Sequence, residues 1–265
     1  MTSLSFSARA KLAPATTQEM RFLLIALCFI AAAFFLPAFA QPQDYHRFVD
    51  ERLFASIPRA FDVLSNLGFF FAGIWGLRAL SAAKQGLSPA LLWSLEIFFW
   101  GVMATAAGSA FYHWAPDDSR LLWDRLPMTF AFAGACGAMA SIRVGERAGR
   151  LALIACLAYG AISLAVWRST GNLTPYAIMQ FGGLAWIGAA WIFGSKKSFD
   201  LPWGGLLGFY LAAKALEHFD AQFFALAHHA ISGHTAKHLL AAAGAATFAW
   251  ALARRARRMS RGEQS

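Results

Sequence analysis

Apolar runs of about twenty residues recur along this chain, and they limit its fold more than any other feature. LLWSLEIFFWGVMATAAGSAFYH at 91–113 is one of them. A hydrocarbon core about 30 Å thick takes roughly 20 residues of helix to cross. Similar runs lie near 21–40, 63–83, 127–142, 151–167, 176–194, 203–219 and 234–253. In lipid, each backbone polar group must be satisfied internally, so runs this long fold as helices. The strand-length alternation of a membrane barrel is missing from the sequence. Only 14% of residues are charged, against about 25% in soluble domains. The expected fold is an all-α polytopic membrane bundle. Its domains would be a leader with an extra hydrophobic segment at 1–40, a seven-transmembrane core at 41–253 and a basic tail at 254–265.

The first run has two readings. It ends in PAFAQ, where Ala38 and Ala40 resemble a signal-peptidase site, but about twenty polar residues precede it. It is therefore either a cleaved leader or an extra helix. The net charge of +9 does not point to nucleic acid, because its densest part is the tail Arg254, Arg255, Arg257, Arg258 and Arg261, just after the last run. Juxtamembrane arginines of this kind set topology and touch anionic lipid headgroups. With that tail in the cytoplasm, Lys84, Arg143, Arg147, Arg150, Lys196 and Lys197 also fall on the cytoplasmic side. The plasma membrane is taken as the location. Cys28, Cys136 and Cys156 all lie within apolar runs and read as packing residues rather than a disulfide framework.

Polar residues at the ends of two runs need explaining. GSAFYHWAPDDSRLLWDRLPM at 108–128 places Ser109 and His113 four residues apart, on one helical face, with Asp124 eleven residues after the histidine. ISGHTAKHLL then opens the last run with His234 and His238, again four apart. Counting spans puts both pairs on the non-cytoplasmic side. Three histidines with an open fourth position are a usual ligand set for catalytic zinc. Zinc would also account for imidazoles at membrane depth, where ionisable groups pair or bind something. Asp124 would then hydrogen-bond the zinc-bound water and move its proton, and Ser109 would donate to a developing oxyanion.

Each residue also has a plainer reading. A histidine at a span end can be interfacial, a serine in GSA can serve helix packing, and Asp124 can be a surface ion-pair partner. Two matched sets on one side of the membrane favour the metal. Heme is disfavoured, because histidines one turn apart cannot ligate opposite faces of its ring. His46, His218, His228 and His229 lack such pairing and read as loop or interfacial residues.

GSAFYH, LLWDRLPM and GHTAKHL together resemble the alkaline ceramidase family, part of a wider group of seven-helix membrane hydrolases. PRAFDVLSNLGFFFAG at 58–73 is similar to the start of that family's first core helix, with Ser65 and Asn66 as its SN pair. The resemblance spans roughly residues 44–243. It implies zinc held by His113, His234 and His238, with Asp124 and Ser109 as the catalytic pair. The implied reaction is hydrolysis of the N-acyl bond of a ceramide-like lipid to a fatty acid and a sphingoid base. The family also binds calcium in an acidic loop before the first core helix. Here Asp44, Asp50, Glu51 and Asp62 offer oxygen ligands. Arg59, however, stands where the pattern has a glutamate, and Asp62 where it has an asparagine, so the arginine argues against calcium. Two readings compete with the hydrolase. One is a zinc-stabilised seven-helix receptor or lipid sensor without turnover. The other is a transporter, which should show the internal repeats or paired broken helices that this sequence lacks. Oligomeric state is not legible.

Overall fold

The computed structural model describes residues 35–194 and 199–263, with scattered positions between 16 and 32. Nine of the twenty residues of the 21–40 run, and the lysines at 196 and 197 used in counting topology, lie outside the described residues. Those described are helical, with one isolated bridge between Phe54 and Ile57. A 3-10 turn at Gln43–His46 precedes the first helices, α1 (Ala60–Leu64) and α2 (Leu67–Ala83). Then come α3 (Pro89–Trp114), α4 (Asp118–Arg143) and α5 (Glu146–Thr170). Next, α6 (Thr174–Ala177) runs through a π turn (Ile178–Gly182) into α7 (Gly183–Phe193). The chain closes with α8 (Trp203–His218), α9 (Asp220–Leu226) and α10 (Gly233–Ser260).

Three long helices begin at side-chain caps of the expected kind. Ser88 accepts from the Leu91 amide, with Pro89 in the first turn of α3. Asp117 caps α4 through the Arg120 amide, and Ser232 caps α10 through Thr235. The cap at Asp117 starts α4 nine residues before the apolar run anticipated at 127–142. Asp124 consequently sits on a helix, in its second turn, and not in a loop.

Among the described residues, four segments are long and apolar enough to cross a membrane: Ala60–Ala83, Pro89–Trp114, Glu146–Thr170 and Thr174–Phe193. Such segments suit a membrane-embedded protein. The other three rods fall short for reasons visible in their sequences. Helix α4 carries Asp118, Arg120, Asp124 and Arg125 in its first two turns, and α8 has 16 residues. Helix α10 carries Arg254, Arg255, Arg257 and Arg258 in its last turns.

Helices α2, α3, α4, α7, α8 and α10 pack in sequence around an axis, and α10 closes the ring by lying against both α2 and α8. Helix α5 lies outside, on α4. The pairing of α3 with α4 is the most extensive, and glycine makes it possible. A Cβ on Gly108 would come 2.1 Å from the Trp123 carbonyl oxygen, a backbone atom that no rotamer change can move aside. That approach sets Ser109 next to Asp124. The core is built from small and aromatic residues, with Phe98, Phe99, Trp203 and Phe248 meeting at its centre. Gly204 also serves contact, against Trp191, whereas Gly208 faces open space.

Candidate metal centre and cavity

His113 occupies the last turn of α3, while His234 and His238 occupy the first turns of α10. All three are buried, at 1%, 5% and 4% exposure. Their ring centroids form a nearly equilateral triangle with sides of 4.7, 4.9 and 4.9 Å. One nitrogen from each ring lies within 4.8 Å of the others, and Nε2 of His113 is 3.2 Å from Nε2 of His234. Tetrahedral zinc bonded to nitrogens at 2.0–2.1 Å holds them about 3.3 Å apart, so the spacing fits such an ion. Three imidazoles this close repel strongly if protonated, and neutral imidazole is the form that binds metal.

The surroundings fix the orientation of one ring in particular. The Ser65 hydroxyl donates to the Asp62 carbonyl at 3.1 Å and lies 2.8 Å from Nδ1 of His238. A hydroxyl has one proton, and a carbonyl can only accept, so His238 donates from Nδ1. Its Nε2 lone pair is thereby left for the cluster. The Asp62 carboxylate accepts from Ser232 and Thr235, at 3.2 and 2.6 Å, tying α1 to the start of α10. Asp220 accepts from the His234 amide at 2.8 Å, and burial raises its carboxyl pKa above the ordinary range.

The segment between the 3-10 turn and α1 covers this cluster. Phe48 lies 4.7 Å from the ring centre of His113 and 4.6 Å from that of His234. Arg59, at a left-handed φ of 46°, donates to the carbonyls of His113 and Trp114 at 2.8 and 2.9 Å. It therefore caps the negative end of α3, where a cation is favoured. Two of the four carboxylates weighed as calcium ligands have partners of their own, Asp62 through its Oδ1 alone. Asp50 is paired with Arg52 at 2.5 and 2.7 Å, and Asp62 is bonded as above. Among the described residues, the histidine triad is the only group of three or more such side chains that converges.

Ser109 lies one turn before His113 and lines the same cavity wall as Asp124. Ser109, Asp124 and His238 all line one cavity on the axis of the helix ring. Thus all five anticipated residues gather at one end of the bundle. A scan of protein-family models and a search of curated proteins return no match to this chain.

The cavity continues from this polar end into an apolar interior of Phe98, Val102, Phe132, Leu184 and Ile187. Its lining also holds residues that spacing did not reveal. Glu217 pairs with both Lys214 and Lys237 and accepts from the Tyr45 hydroxyl at 3.3 Å. A signal was present, because charged residues inside apolar runs are functional until shown otherwise. Lys237 stands within HTAKH itself. His46, read as a loop residue, meets the Tyr112 hydroxyl at 2.9 Å and Asp118 at 3.1 Å. His228 and His229 do lie in a loop, both at positive φ.

Proposed function

We propose that this chain is a membrane-embedded, zinc-dependent amidase of the alkaline ceramidase type. It hydrolyses the N-acyl bond of ceramide-like lipids to a fatty acid and a sphingoid base. The observation that carries this reading is a buried histidine triad and a Ser109–Asp124 pair at the polar end of one apolar cavity. When bound there, zinc supplies a Lewis acid and lowers the pKa of water enough for attack near neutral pH. Asp124 accepts a proton from the attacking water and delivers it to the departing nitrogen. Ser109 donates a hydrogen bond to the amide oxygen as charge develops on it. Water is thereby added across the C–N bond: the acyl carbon gains the hydroxyl and the nitrogen gains the proton. The acyl chain lies along Phe98, Val102 and Phe132, which suits an apolar pocket with few polar anchors.

In this proposal the seven rods from α1–α2 to α10 all cross the bilayer. The arginines of α10 face the cytoplasm, and the histidines face the opposite side of the plasma membrane.

Zinc content and fatty-acid release from ceramides, measured on the purified protein in detergent, test the reading. Asp124→Asn should retain zinc and lose at least about 100-fold in turnover, in line with the worth of a general base. His234→Ala should lose the zinc itself. Stoichiometric zinc without release from any N-acyl lipid would reassign the chain to a zinc-stabilised receptor. Absence of zinc would end the proposal.

A further inference from the structure

The charged groups around the cavity do not balance. Asp124 and Glu217 supply two carboxylates, while Arg125, Lys214 and Lys237 supply three cations. Both lysines lean on the single Glu217 carboxylate, one at each oxygen. An ammonium has three N–H donors, so one shared carboxylate leaves most of their donors free. Lys214 otherwise rests over the Phe181 ring at 5.8 Å.

Arg125 is less well satisfied. It is 6% exposed, and its Nη2 donates to the neutral side-chain oxygen of Gln41. The guanidinium lies 4.5 Å from the Trp167 ring and 4.8 Å from that of Tyr176. Its Nη1 is buried without a hydrogen-bond partner among the described residues. Asp124 is its neighbour in sequence, but adjacent residues on a helix do not face each other, and no ion pair joins them. Tyr45 connects the two cationic features, because its ring lies 5.9 Å from the Arg125 guanidinium and its hydroxyl bonds Glu217.

Three cations against two carboxylates leave one positive charge in the cavity unbalanced, which is unfavourable away from water, and a divalent ion on the histidines would add to the same imbalance. A bound anion removes it. We propose that the lipid taken by this cavity carries an anionic group, carboxylate or phosphate, held beside the scissile amide by Lys214, Lys237 and Arg125. The inference rests on the amidase reading for the amide and on the charge imbalance alone for the anion. An uncharged ceramide would leave the three cations as they are.

The test uses the full-length, zinc-loaded protein in neutral detergent. N-palmitoylglycine and N-palmitoylethanolamine share chain and amide and differ in a carboxylate against a hydroxymethyl. Their ketomethylene analogues, with CH2 in place of the amide N–H, bind without turning over. Ceramide 1-phosphate against ceramide, compared by turnover, supplies the phosphate arm. A charge-assisted contact should favour the anionic member of at least one pair by about tenfold or more. Whichever pair shows it identifies the anion as carboxylate or phosphate. The preference should fall below about threefold in Lys214→Met and persist in Lys214→Arg. Equal handling of both members in both pairs overturns the proposal, and that comparison needs no variant to fold. Anion-selective binding without hydrolysis of any amide would keep the anion site and remove the amidase. Hydrolysis without selectivity would do the reverse.

Discussion

At the level of single residues, Ser65 has the most specific role. Its one proton goes to the Asp62 carbonyl, so its oxygen takes the Nδ1–H of His238 and holds that ring with Nε2 inward. Partners of this kind typically contribute 10- to 100-fold to metal affinity. Ser65→Ala should therefore weaken zinc binding by about tenfold in a competition titration with a chelating dye, with little change in helix content. An unchanged affinity would mean that packing alone orients the ring. The clustering of the three histidines was legible, because i, i+4 spacing survives folding intact and the count of runs put both pairs at the same end. The places of Phe48 and Arg59 were not legible, and Glu217 showed only as a charge inside an apolar run. They lie 65, 54 and 17 residues from the nearest histidine of the triad, and only the packing of the helices brings them near it.

At the level of helices, the all-helical character of the chain could be read from hydropathy, since apolar runs record what lies buried or in lipid. The start of α4 could not, because its first two turns are charged and the information lies in a cap. Closeness between helices is written in glycines, but which glycine matters depends on the partner surface. Gly108 meets backbone, so Gly108→Ala must push α3 and α4 apart at the level of Ser109 and Asp124. We expect turnover to fall by more than about tenfold and the unfolding temperature in detergent to drop, with the destabilisation reaching the 1–3 kcal/mol usual for overpacking. Gly208→Ala, which meets nothing within 4 Å, should leave both unchanged and serves as the control.

For the molecule as a whole, the ring of six helices explains how so many polar groups are tolerated in a predominantly apolar chain. They face one axial cavity and one another, leaving the outer surface to residues such as Phe71, Trp93, Ile154 and Phe193. Membership of the ring was not readable from sequence, since the runs record burial and not which neighbour supplies it. The segment carrying Phe48 closes the ring at the histidine end, where its benzene ring sits edge-on against two imidazoles. A metal ion held by the triad would thus meet a barrier to departure separate from its bonds. In the intact protein, loss of zinc to excess chelator should follow the opening of residues 41–59 and become independent of chelator concentration. In Phe48→Ala it should accelerate by about tenfold or more and become proportional to that concentration, while equilibrium affinity changes far less. A phenylalanine that ligates nothing would then govern how long the ion resides, making the centre slow to exchange its metal even where its affinity is modest.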